Sequence, residues 1–287
     1  MARASEQGGK RSLGTWMWNA VDIMKAEEVL DFLTSHDVTE VYLSCAAGMP
    51  KSYYRKFISA CYDEGIRVAV IGAEADWAIP NGQKRFDSFL KWVEEYQNGC
   101  EQESEKFYAI HMDVEPHQLP EWQTDREMVQ AGFVDFLVKA RGFCDRVGMG
   151  LEADIPFWFD SLYATLDGER VSLGQATVLL SDATLIMSYR DNAEAALACG
   201  NILHPYAVAQ NKKFLYALET GKIYEEINIT FHHLGTDALN RELNKLYVLA
   251  EEKYPGANVG YAVHYYHSWK NLPPDGHPRG EDYPYND

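Results

Sequence analysis

Two carboxylates one residue apart, Asp113 and Glu115, close the segment Phe107-Tyr-Ala-Ile-His-Met-Asp-Val-Glu-Pro-His117. Alternate side chains of an extended strand share a face, so both acids point the same way, with Ala109 and His111 behind them. Like charges held that close must be solvated, paired or used, because each disfavours ionisation of the other. The chemistry this suits is general acid catalysis, with Glu115 kept protonated near neutral pH by the neighbouring Asp113. The plain alternatives are a capping or ion-paired loop acid for Glu115 and an internal salt bridge for Asp113.

Other residues of the same character recur at the ends of apolar runs. Glu219 closes one in Leu218-Glu219-Thr220-Gly221, and Tyr189 closes Leu185-Ile-Met-Ser-Tyr189. Glu115, Asp113, Glu219 and Tyr189 are therefore the candidate catalytic residues. Trp16, Trp18, Asn19, Asp76, Trp77, Asp154, Trp158, Asp191, His264, Tyr266 and Trp269 are the candidate substrate contacts. Indole and phenol faces stack on the CH faces of a sugar ring, and carboxylates accept its hydroxyls, so such a pocket suits a carbohydrate. Glu74, Asp76, Asp113, Glu115, Glu152, Asp154, His111 and His264 could supply a divalent metal, but no tight ligand pair such as HxH appears, so neither a metal nor another cofactor is expected.

The elements that must bring these residues together are strands alternating with helices. Strand-like runs fall at Gly14–Ala20, Val38–Cys45, Val68–Asp76, Phe107–Glu115, Gly150–Ile155, Thr184–Tyr189, Phe214–Glu219 and Val259–Tyr266. Between them, Lys25–Ser35, Tyr53–Glu64, Arg85–Tyr96, Asp125–Arg146 and Thr236–Tyr254 place apolar residues at helical three and four spacing. Eight β/α pairs in 287 residues predict an α/β fold, the (β/α)8 TIM barrel, in which C-terminal strand ends converge on one pocket. A doubly wound sheet would also fit the alternation, but no glycine-rich phosphate loop follows any strand. Gly65, Gly148 and Gly256 precede strands, where left-handed helix caps belong. Pro156–Ala183 breaks the rhythm and reads as an extended loop on the active face. Residues 1–11 read as a flexible tail, 12–272 as one barrel domain, and 273–287 as a loosely packed C-terminal tail.

A formal net charge of −17 argues against nucleic acid or an anionic membrane as partner and leaves a neutral or cationic molecule or polymer. Cys45, Cys61, Cys100, Cys144 and Cys199 show no zinc-like spacing, so they read as small buried hydrophobes in a reducing compartment. Without a visible signal core the cytoplasm is favoured, and secretion stays open for a chain whose leader has been trimmed.

Asp113-Val-Glu115 on a fourth strand, Met187-Ser-Tyr189 on a sixth and Trp269 beyond the eighth resemble the family-18 glycoside hydrolases, the chitinase-like barrels. That resemblance implies Glu115 as proton donor to the glycosidic oxygen. It makes Asp113 the assisting acid for a substrate's acetamido group, and Tyr189 the tyrosine that hydrogen-bonds the intermediate. Tyr108 and His111 stand where the longer family signature carries aspartates, and Arg190 where an aspartate follows the tyrosine. The chain also resembles the retaining glycosidase clan, in which glutamates end strands four and seven; this implies Glu219 as nucleophile, about 5 Å from Glu115. Val114 replaces that clan's asparagine. Both resemblances imply a glycoside hydrolase acting on an oligosaccharide or polysaccharide. A noncatalytic carbohydrate-binding barrel and a metal-dependent barrel hydrolase are the alternatives.

Overall fold

The computed structural model describes residues 11–223 and 227–278. The N-terminal tail expected over residues 1–11 lies outside them except for Arg11, which stacks on Tyr247 at 4.4 Å. Eight parallel strands close into a barrel: β1 (Leu13–Met17), β2 (Glu40–Leu43), β3 (Arg67–Gly72), β4 (Ala109–Met112), β5 (Gly150–Pro156), β8 (Ala183–Met187), β9 (Lys213–Glu219) and β10 (Val259–His264). β1 pairs with both β2 and β10, which completes the ring. The fold is the (β/α)8 TIM barrel that the alternation predicts.

The long helices α1 (Ala26–Ser35), α2 (Lys51–Asp63), α3 (Gln83–Asn98), α5 (Arg126–Val147) and α9 (Gly235–Lys253) fall on the five helical periodicities. Shorter ones complete the outer layer: α4 (Glu121–Thr124), α6 (Leu173–Leu180), α7 (Ala193–Cys199), α8 (Leu203–Ala209) and α10 (Tyr266–Lys270). Gly65, Gly148 and Gly256 take positive φ of 74°, 71° and 70°, the left-handed turn into the next strand. Among the described residues, no helix is long and apolar enough to cross a membrane. The segment after β5 is more ordered than a plain loop, because it forms a hairpin of β6 (Tyr163–Leu166) and β7 (Glu169–Ser172) before α6. The start of the C-terminal tail is also packed: Thr236 N and Asp237 N donate to the carbonyls of Pro273 and Pro274 at the head of α9.

Both faces of the barrel strands are buried, so the barrel has two cores. One lies between strands and helices; the other fills the bore with Trp16, Tyr42, Ala69, Ile71, Ala109, Ala183, Leu185, Leu215, Ala217 and Ala262. Gly14 makes room for this second core, since a Cβ there would sit 2.5 Å from the Tyr42 hydroxyl oxygen. At the N-terminal mouth, Glu40 receives Lys213 Nζ at 2.6 Å and Arg67 Nη2 at 2.7 Å. Burial opposes its ionisation, but these two cations outweigh that and hold the carboxyl below its ordinary value. That end of the bore is closed by structural ion pairs.

Candidate active site

The site is built where the strands end. Continuing β4 past Met112 carries Asp113 and Glu115 to the C-terminal mouth, and the Asp113 backbone N–H is still held by the Gly72 carbonyl at 2.9 Å. Tyr189 arrives two residues beyond β8, Glu219 and His264 are the last residues of β9 and β10, and Trp18 follows β1. Tyr189, Trp18 and Tyr265 pack against the top of the bore cluster. This gathers acidic and aromatic side chains at the C-terminal end of the bore.

Burial, followed by the charges of Asp154 and Glu115, pushes the Asp113 carboxyl well above its ordinary range, although His111 and His264 oppose the shift. Asp113 Oδ1 is sealed from solvent and has no hydrogen-bond partner among the described residues. Burial also raises Glu115, and the neighbouring charge that adds to the effect is Asp154 rather than Asp113. A carboxyl that holds its proton more tightly through desolvation suits a general acid. Gln118 Nε2 donates to Glu115 Oε2, and His117 Nε2 lies 3.7 Å from Oε1. The Tyr189 phenol is raised well above its usual value by burial and then by Glu219, Asp113, Asp154 and Glu115, so it remains a hydrogen-bond donor.

Glu219 has a polar partner at each oxygen. Its Oε1 accepts from Gly221 N at 2.6 Å, and its Oε2 lies 2.7 Å from His264 Nδ1. Trp18 Nε1 then donates to His264 Nε2 at 3.0 Å, and the His264 ring stacks on Tyr189 with centroids 5.8 Å apart.

Beneath the pocket lies a buried charge cluster. The register pairs His111 with Glu152, and His111 Nδ1 meets Glu152 Oε2 at 3.0 Å while Nε2 lies 2.8 Å from Asp154 Oδ1. Trp16 Nε1 donates to Asp154 Oδ2, Tyr108 donates to Glu152, and the Tyr42 ring stacks on His111 at 3.7 Å. Burial disfavours the charged imidazole, but Asp154 and Glu152 outweigh it and draw the ring's pKa up to about 10. Trp16 and Asp154, expected at the substrate, thus hold each other in the floor of the site.

Several other expected contacts sit elsewhere. Trp77 is a correction: β3 ends at Gly72 and the chain turns outward, so the indole packs on Phe86 and Phe89 in the helix–strand layer, both at 5.0 Å. Tyr266 and Trp269 are corrected for a similar reason. β10 ends at His264, and α10 carries both rings onto Phe32 of α1, at 5.2 and 5.3 Å. Tyr265, not singled out from the sequence, is the aromatic that faces the bore. Asp76 pairs with Arg85 in the first turn of α3. Asn19 is exposed and caps a helical turn through Val21 N, and Asp191 N donates to the Asn228 carbonyl at 3.0 Å. Trp158 is half-buried and stays near the acids, with its ring 5.1 Å from His117, the neighbour of Glu115. His117 and Trp122, which form this flank, carried no strand signal in the sequence.

The five cysteines are free; Cys61 and Cys144 are buried and the other three half-buried. Burial pushes their thiols up. Among the described residues, no group of three or more His, Cys, Asp and Glu side chains is arranged to hold a metal ion.

No family model matches the chain, and no curated protein does. Solved structures do. An active-site mutant of the Rhizomucor miehei β-1,3-glucanosyltransferase in complex with laminaritriose superposes with a TM-score of 0.55 at 8% identity, covering 92% of this chain and 91% of that one. A GH18 chitinase from Pseudoalteromonas aurantia gives 0.51 at 10% identity over 90% and 94%. A sugar phosphate isomerase/epimerase from Parabacteroides distasonis gives 0.52 at 9% identity over 96% and 91%. At such identities the likeness is one of fold. The chain is a (β/α)8 barrel structurally similar to GH18 chitinases and to a β-1,3-glucanosyltransferase.

Proposed function

We propose that the chain is a glycoside hydrolase in which Glu115 is the proton donor and Asp113 the assisting acid. The observation that carries this reading is the pair itself, two carboxyls raised by burial at the C-terminal end of β4, where Trp18, Tyr189 and Tyr265 pack against the bore cluster. Fold neighbours whose names include a chitinase and a glucanosyltransferase add support. In the proposed reaction Glu115 gives its proton to the glycosidic oxygen as the bond to the anomeric carbon breaks. The carbonyl oxygen of a 2-acetamido group on the substrate attacks that carbon, and the Tyr189 hydroxyl donates to the acetamido group. Water then attacks the anomeric carbon and displaces the acetamido oxygen, whose bond to that carbon breaks to restore the acetamido group, and the water loses its proton to the Glu115 carboxylate. In the two-glutamate alternative Glu219 would instead be the nucleophile, with Gly221 N donating to one of its oxygens and His264 Nδ1 beside the other.

The test is hydrolysis of aryl glycosides and natural oligosaccharides, 2-acetamido sugars included, by wild type, Glu115→Gln, Asp113→Asn and Glu219→Gln. Loss of about 10²- to 10⁴-fold with Glu115→Gln, and a large loss with Asp113→Asn on acetamido sugars, is expected. Full activity in Glu115→Gln on every sugar cleaved would sink the assignment. Binding without turnover in wild type would leave a carbohydrate-binding barrel.

A further inference from the structure

Three strands contribute to one hydrogen-bonded chain at the mouth of the barrel. Glu219 on β9 and His264 on β10 are direct ladder neighbours, and Trp18 follows β1, the strand on the other side of β10. We propose that Glu219 is a positioning residue: it holds His264 through Nδ1, and His264 Nε2 in turn holds the Trp18 indole N–H, fixing that ring as a wall of the sugar pocket. Glu219 is tied by the geometry to the backbone on one side and to the ring on the other. Only 5% of it is exposed, Gly221 N occupies one oxygen at 2.6 Å, and His264 occupies the other at 2.7 Å.

The chemistry of the ring fixes its tautomer. An indole nitrogen only donates, so Nε2 must carry a lone pair and the ring proton must sit on Nδ1, facing the Glu219 carboxylate. Adding a second proton converts Nε2 into a donor and breaks the bond to Trp18. The groups bearing on that event come from all sides: Glu219 on β9, Asp113 beyond β4, Asp154 on β5, the Tyr189 phenol beyond β8, and the indoles of Trp16 and Trp18. Burial opposes the protonated ring, but Glu219, Asp113 and Asp154 outweigh it and raise its pKa above the ordinary histidine value. The wall is therefore fixed on the alkaline side of that pKa and released on the acid side.

This role rests on the carbohydrate reading only for the word sugar; the relay itself is measured without one. The Trp18 indole ¹⁵N–¹H resonance is followed in wild type, Glu219→Gln and Glu219→Leu. On the alkaline side of the His264 pKa, Gln keeps an acceptor for Nδ1–H and should retain the wild-type resonance; Leu removes it and should move the resonance toward that of a free indole. An unchanged resonance in Glu219→Leu overturns the relay. Should Leu fail to fold, the pH titration of wild type decides, because a Trp18 resonance that ignores His264 protonation overturns it equally. With the N-acetylglucosamine tetramer as probe, loss of the relay should raise KM about tenfold, with a smaller effect on kcat. If Glu219→Gln keeps the Trp18 resonance but loses turnover entirely, Glu219 is the nucleophile and the positioning role falls. If wild type neither binds nor cleaves the tetramer or any other sugar, the hydrolase reading falls while the indole resonance still decides the relay.

Discussion

Trp16 Nε1 on β1 donates to Asp154 Oδ2 on β5 at 3.0 Å, joining two strands that share no ladder. With His111 on its other oxygen, Asp154 is a charge fixed beneath the acid pair, and it adds to the raised pKa of both Asp113 and Glu115.

Asp154→Asn should therefore lower the pKa of Glu115 and Asp113 toward ordinary values, because removing a negative charge makes ionisation of its neighbours easier. Glu115 must hold a proton to act, so the alkaline limb of the pH–rate profile should move to lower pH. Titration of the ¹³C-labelled carboxyls checks the same point without substrate, and unchanged carboxyl titrations would refute it.

His111→Leu should destabilise the fold by about 3–5 kcal/mol, since it leaves Glu152 and Asp154 buried without their cation. The sign of the pH dependence follows from a folded pKa of about 10 against 6.5 for an ordinary histidine. The stabilisation is complete below the lower value and is lost as pH rises through the higher one. Urea unfolding of wild type and variant across that range should show the difference shrinking at alkaline pH.

Asp113→Asn should do the opposite to stability. A carboxyl whose pKa is raised on folding favours the native state below its unfolded value and loses that contribution as pH rises through the folded one. At neutral pH the neutral amide should gain about 1 kcal/mol, or about 2 °C in Tm, while turnover falls. A lower Tm would show that the carboxyl is paired in solution.

Trp77→Ala should cost about 3–5 kcal/mol by opening a cavity beneath Gly72, next to Phe86 and Phe89. Its folded fraction should bind sugar with unchanged affinity. Weakened binding in that fraction would return Trp77 to the site.

Much of the frame was legible because barrel strands and helices differ in hydrophobic period, and because glycine marks the left-handed turns before strands. Less legible was which face of a strand meets which core. In a barrel the bore and the helix layer are both apolar, so Trp16 and Trp77 look alike in sequence although one fills the bore and the other lies outside it. Strand ends had the same effect on a smaller scale. Ending β10 at His264 rather than Tyr266 exchanges Tyr265 for Tyr266 at the pocket, since one residue of register reverses the side chain.

The sequence by itself determined the barrel plan and the placing of Asp113 and Glu115 on one face, because both follow from local periodicity. Only the tertiary structure decided the partners. His111 meets Glu152 and Glu219 meets His264 through the register of neighbouring strands, and Trp16 meets Asp154 through closure of the ring. These pairings join residues far apart in the chain, and no local spacing encodes them. The charge state of the acids follows from that same closure, which removes water from the pocket and brings Asp154 beneath it.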